Sequence, residues 1–261
     1  MKRTLKLVII MGIMVILGSY SLAFDMTGLE VMEKVYNRDT GDSQTSKMTM
    51  TLENRYGDKR VRKIVQFSKD FGKVTKKIMF FTAPSDIKNT SFMSWSYDDE
   101  NKSDEQWIYL PAIKRIKAIS SDSKSDYFMG SDFTYDDLGD RKPKDDNHKI
   151  IKMEKLNGEN CYVIESTPKD EDYVYSKVIS WVIKDKWVGL KREFYDEDGE
   201  LLKTLEVKNI KNIDGILTVM KSVMSNVQNN HKTVIELKDV KYNTNISDRQ
   251  FTERMMKRGV R

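Results

Sequence analysis

Two histidines, one cysteine, the serines and two acidic tracts are the groups from which this chain could build a reactive centre. Serine hydrolysis needs a nucleophile on a tight elbow with a histidine base behind it. The nearest match to G-x-S-x-G is Gly130-Ser131-Asp132, which lacks the second glycine, and only His148 and His231 could serve as bases. Neither G-x-G-x-x-G nor G-x-x-x-x-G-K-[ST] occurs, so no phosphate cradle is built. A zinc site has no H-E-x-x-H and one cysteine to draw on. Asp136, Asp137, Asp140, Asp145, Asp146 and His148 could gather a hard cation, as could Asp98, Asp99, Glu100, Asp104 and Glu105. Neither tract has the D-x-D-x-D-G spacing, and Arg141, Lys142 and Lys144 sit inside the first, so both read as solvated loops. Cys161, in the apolar string NCYVIES, reads as a buried thiol. These residues point to a protein that binds, with no catalysis, no metal and no cofactor.

The binding groups are apolar. Phe80, Phe81, Phe92, Trp95, Tyr97, Trp107, Tyr109, Tyr127, Phe128, Phe133 and Tyr135 crowd the centre of the chain, among abundant methionines. Methionine adapts its shape and aromatic rings dominate ligand pockets, so this set suits a cavity for acyl chains as well as an ordinary core.

The first 23 residues must be set apart before charge is weighed. Lys2, Arg3 and Lys6 precede an uncharged run over 7–17, and Ser21-Leu22-Ala23 ends in small residues at the first and third positions. That order is a secretory signal with cleavage expected after Ala23, and the run is too short to span a bilayer. The expected compartment is the periplasm, and the cleaved chain is expected not to span a membrane. The formal charge of +5 belongs to 45 basic and 40 acidic residues; without the signal, 42 basic residues face 40 acidic ones. A balanced surface offers no field to attract nucleic acid. With one cysteine, no internal disulfide can form.

The elements that position these residues are mostly strands. Thr27 and Glu30 have capping-box spacing ahead of Leu29, Met32, Val35 and Tyr36 on one helical face, stopped by Asn37 and Gly41. After that the period changes to two. Met48, Met50 and Leu52 begin a hairpin that turns at NRYGDK and returns through Val61, Val65 and Phe67. Further strands are expected over 74–81, 90–97, 105–110, 149–156, 160–167, 174–183, 189–195, 201–210, 216–224 and 232–242. Asn157-Gly158, Asp198-Gly199 and Asp214-Gly215 mark tight turns between them. Some twelve short strands without βαβ units predict one antiparallel sheet, strongly curved or closed on itself. The exception is 111–148, too long for a hairpin loop and of the kind that forms lids. Pro111 could open a helix carrying Ile113 and Ile116, and Ser131 or Asp132 could cap another over FTYDDL.

Three long, irregular strings carry a resemblance: FFTAPSDIKNTSFMSWSY, EQWIYLPAIKRIKAISS and YFMGSDFTYDDL. In these the chain resembles the LolA-like outer membrane lipoprotein-sorting proteins, with Asn89 where glycine is expected and Ala118 where a basic residue is common. The resemblance implies an α+β, mainly antiparallel fold of LolA/LolB type. It would be an incomplete, curved β-barrel of about 11–12 strands, with an N-terminal helix and a helical or loop lid, in one domain over 24–261. It implies a periplasmic carrier that holds lipoprotein acyl chains or another lipid and moves them toward the outer membrane. An inner-membrane transporter and an outer-membrane acceptor would be its partners. The alternative is an accessory or scaffold subunit of an inner-membrane lipid exporter of RND/MMPL or ABC type. Phe92, Trp95, Trp107, Tyr109, Phe128, Met129, Phe133 and Tyr135 are the expected cavity and lid residues, and Arg115 and Lys117 the expected polar contacts to a head group or to the lid.

Overall fold

The computed structural model describes residues 25–99 and 101–260; the expected export signal, 1–23, lies outside the described residues. Helix α1 (Gly28–Tyr36) begins where the spacing predicts. The Thr27 hydroxyl accepts from the Glu30 amide at 3.2 Å, and the Glu30 carboxylate accepts from the Thr27 amide at 2.7 Å. Its Val31 is wholly buried against Ile150, Tyr162, Ile164 and Val182 of the sheet. Gly28 permits this approach, because a Cβ there would lie 2.7 Å from the backbone of His148.

Thirteen antiparallel strands follow: β1 (Ser43–Glu53), β2 (Lys59–Asp70), β3 (Val74–Ala83), β4 (Ser91–Tyr97), β5 (Glu105–Leu110), β6 (Arg115–Ala118), β7 (Asp146–Leu156), β8 (Glu159–Pro168), β9 (Lys177–Ile183), β10 (Gly189–Tyr195), β11 (Leu201–Ile213), β12 (Ile216–Asn226) and β13 (His231–Tyr242). Turn chemistry fixes their register. Asn157-Gly158 and Asp214-Gly215 have positive φ at both positions, which matches the twist of two-residue hairpins, and they close Leu156 onto Glu159 and Ile213 onto Ile216. Asn89 adopts a φ of 68°, which shows why glycine suits that position: asparagine is among the few other residues that enter the left-handed region readily.

The spatial order is β6-β5-β4-β3-β2-β1-β13-β12-β11-β10-β9-β8-β7, one open sheet. The first six strands step outward from β1, and the last seven return to it, where Met48 faces Leu237 and Met50 faces Ile235. Strands β6 and β7 are therefore the two free edges. The segment joining them, 119–145, must cross the mouth of the curved sheet. Length alone suggests a lid there; the strand order requires one.

Two expectations are corrected. Residues 113–116 form no helix: Lys114 takes a φ of 53°, the chain reverses within 111–114, and Arg115–Ala118 pairs with β5, making a thirteenth strand where about 11–12 were expected. The lid contains no α-helix either. FTYDDL yields only a short 3-10 turn, Asp136–Leu138, because Ser131 and Asp132 spend their side chains elsewhere.

One helix has no counterpart in the sequence reading. After β13 the chain crosses the face opposite α1 and ends in α2 (Glu253–Arg258), where Ile246, Phe251 and Met256 pack on Ile78, Phe80, Met93 and Tyr109. Thr252 caps it and Gly259, at a φ of 72°, stops it, so the signals were present.

Candidate functional site

Strand alternation divides the aromatic set. On the inner face, the one bearing α1 and the lid, Phe92 is buried with Met48, Met50, Leu52, Ile64 and Phe81. The lid adds Phe128, wholly buried, whose ring lies 5.1 Å from that of Phe92 and 5.5 Å from that of Tyr135. Met129 and Tyr135 pack at the margin of the same cluster. Phe133 enters the other half of the inner face, among Tyr175, Phe194 and Met224. The lid thus plants one aromatic anchor on each half of the curved sheet.

Trp95, Trp107 and Tyr109 lie on the outer face instead, under α2 and its approach. Residue 92 is even and the other three are odd, so in paired strands they point away from it: Phe92 faces Ile108, and Met93 faces Trp107. Arg115 and Lys117 stand exposed on edge strand β6, away from the buried aromatic rings of the lid. The structure brings together Phe92, Phe128, Met129 and Tyr135, places Phe133 nearby, and separates the other five.

The lid is shaped by its own backbone. The Phe128 amide donates to the Phe133 carbonyl at 2.7 Å, the Tyr135 amide to the Asp126 carbonyl at 3.1 Å, and Met129 and Gly130 both take positive φ at the tip. Ser131 is committed here, its hydroxyl donating to the Phe128 carbonyl at 2.8 Å. His231 does lie beside Asp132, with Nδ1 2.8 Å from the carboxylate, so this serine supports the loop while the histidine anchors it.

Buried polar groups hold the lid down. Asp132 accepts from the Thr233 hydroxyl at 2.7 Å. The Lys203 ammonium, wholly buried, donates to the Asp132 carbonyl at 2.9 Å and to the Asp137 carboxylate at 2.5 Å. Tyr175 donates to the other Asp137 oxygen at 3.0 Å, and burial pushes its own ionisation far above the ordinary range. Gln106 donates to the Tyr135 carbonyl at 2.9 Å. Further along, Lys77 pairs with Asp140 at 2.7 Å; burial opposes ionisation of that carboxyl, and the ammonium outweighs it, holding it below its usual range. Asp136 goes the other way, raised by burial although the Tyr173 hydroxyl donates to it. Lys203 shares strand parity with Leu201 and Leu205, and that inward-facing lysine was the available signal for this latch.

Between α1, the sheet and the lid a cavity of about 680 Å³ remains. Met32, Val35, Met79, Val178, Phe194 and Leu237 supply its apolar wall; Gln66, Ser96, Ser166, Ser180, Arg141 and Arg192 supply polar groups. Its size is that of small-molecule sites generally. Among the described residues, no helix is long and apolar enough to cross a membrane.

An open antiparallel sheet that shelters a cavity beneath a latched lid is a lipid- or lipoprotein-carrier fold, and known proteins share it. A putative outer membrane lipoprotein-sorting protein domain from Vibrio parahaemolyticus is 34% identical, with a TM-score of 0.82 over 88% of this chain and 98% of that one. A DUF1329 family protein from Desulfovibrio piger is 29% identical, with a TM-score of 0.82 over 88% and 97%. A LolA superfamily protein from Nitrosomonas europaea, 21% identical, has the same fold at a TM-score of 0.68 over 88% and 99%. A family model described as "-like: Uncharacterized protein" matches residues 73–258, and no curated protein matches. The chain belongs to the outer membrane lipoprotein-sorting protein family, and it shares its fold with the LolA superfamily.

Proposed function

We propose that the protein is a periplasmic carrier that takes up an acyl chain of a lipoprotein or another lipid beneath its lid, without catalysis, and delivers it toward the outer membrane. The observation that carries this reading is the exchangeable filling of the inner face. Phe128 and Phe133 occupy space that an acyl chain can take, and they belong to a segment that lies outside the sheet. Releasing two buried aromatic side chains costs roughly 3–6 kcal/mol, and each methylene that replaces them returns roughly 0.8 kcal/mol, so about four to eight methylenes offset the loss of the two rings. Loading and release are then both accessible, which a carrier requires.

Native mass spectrometry of protein purified gently from the periplasm tests the proposal. Co-purifying acyl species support it; a clean protein mass after lipid exposure would sink it. The exposed edge strand β6, with Arg115 and Lys117 facing solvent, favours a second reading, the accessory subunit of an inner-membrane lipid exporter, since such an edge can add a partner's strand. A stable protein partner with no bound lipid would favour that reading.

A further inference from the structure

Arg192 differs from the other cations that line the cavity or latch the lid. Lys77 is paired with Asp140, Arg141 with Asp146 at 2.5 Å, and Lys203 with Asp137. Arg192 lies on β10, opposite Ser180 of β9 and Leu205 of β11, and its side chain lines the cavity. Among the described residues its guanidinium has no hydrogen-bond or ion-pair partner. Asp137 and Tyr173 are near enough to favour its charge, but Asp137 is already taken by Lys203 and Tyr175, and Tyr173 donates to Asp136. Burial wins, pushing the ionisation of Arg192 below its ordinary value. Half-buried in the cavity wall, this cation gives up part of its hydration without gaining a hydrogen-bond partner. Its five N–H donors form a planar fork that matches the two oxygens of a carboxylate or phosphate.

The wall beside it is apolar. Phe194, two residues along β10, faces Val178 across the pairing and packs with Phe133 of the lid. A head group at Arg192 would leave its chain running along this wall toward the lid.

We infer that the cavity takes its ligand by an anionic head, with Arg192 gripping a carboxylate or phosphate oxygen pair while the acyl chain lies along Val178 and Phe194 to displace Phe133. This deepens the carrier reading and rests on it. The test is equilibrium binding of palmitate, methyl palmitate and 1-palmitoyl lysophosphatidate to the full chain, its R192Q variant and its R192K variant. The wild type is expected to bind an acid at least about tenfold more tightly than the ester, the factor a charged hydrogen bond supplies. R192Q should lose that preference with ester binding unchanged, and R192K should keep part of it. Palmitate favoured over lysophosphatidate identifies a carboxylate head, and the reverse a phosphate; both support the inference. Without ligand, R192Q should melt no lower than the wild type, because it removes an unpaired charge, and palmitate should raise the Tm of the wild type more than that of R192Q. Equal binding of acid and ester by the wild type, or a preference that survives in R192Q, overturns the inference and leaves the carrier reading intact. So does a lower Tm in R192Q with the acid preference unchanged, which would mark a structural role. Failure of the wild type to bind any of the three would defeat both.

Discussion

Both faces of the sheet bury aromatic residues, and they are closed by different chemistry. The outer face is covered by Ile246, Phe251 and Met256, with the Ser91 hydroxyl donating to the Met256 carbonyl as a polar tie. The inner face is covered by Phe128 and Phe133, and its cover is fixed by directional polar contacts: the buried pair Lys203 and Asp137, His231 and Thr233 on Asp132, and the half-buried pair Lys77 and Asp140. Apolar burial is non-directional and survives small displacements. Buried ion pairs and hydrogen bonds hold one geometry and lose much when it is left. A seal of the first kind suits a permanent wall, and one of the second kind suits a door with a defined closed position. Composition is blind to this difference, since both faces read simply as aromatic.

Several substitutions can break or sharpen that contrast. Lys203→Met strands Asp137 and the Asp132 carbonyl in the interior, and about 3–5 kcal/mol of stability should vanish in urea unfolding, with faster amide exchange over 126–138. If exchange there stays slow, the latch is not what holds the lid. Phe128→Ala and Phe251→Ala remove equally buried rings from opposite faces, and each should cost about 3–5 kcal/mol. Only the first should change uptake of N-phenyl-1-naphthylamine, an apolar dye read by fluorescence; an equal change in both would erase the functional distinction between the faces. Gly28→Ala forces α1 off the β7 backbone at a cost of roughly 1–3 kcal/mol, measured as a lower Tm. Asp140 has a depressed folded pKa, so its contribution is present above the ordinary carboxylate value of 3.8 and is lost as pH falls through the folded one. Asp140→Asn should therefore flatten the acid limb of the stability curve, and an unaltered limb would count against the Lys77 pairing. Arg115→Ala and Lys117→Ala, on the exposed edge, should each shift stability by no more than about 0.5 kcal/mol.

Much of the fold is legible because it is written in local rules. The Thr27–Glu30 box, the Asn-Gly and Asp-Gly turns and the alternation of Met48, Met50 and Leu52 each act over a few residues, and each appears where the sequence places it. The site is less legible for two separate reasons. Grouping Phe92 with Trp95, Trp107 and Tyr109 weighs residue type and ignores parity, which sends them to opposite faces. The roles of Lys203 and Arg192 depend on partners some 66 residues away or on having no partner at all, and only the assembled sheet reveals either. The lid's missing helices follow the same logic: Ser131 and Asp132 are good caps, but the Phe128 carbonyl and the Thr233 hydroxyl engage their side chains instead.

Because 119–145 joins the two free edges β6 and β7, the lid has no hinge of its own. It is strung between the rims like a drawstring. A pull that lifts its middle draws on both edges at once, and any spreading of the sheet tightens it. The spacing of the rims and the position of the lid are thus coupled through one continuous chain, and a force on either rim is felt by the lid.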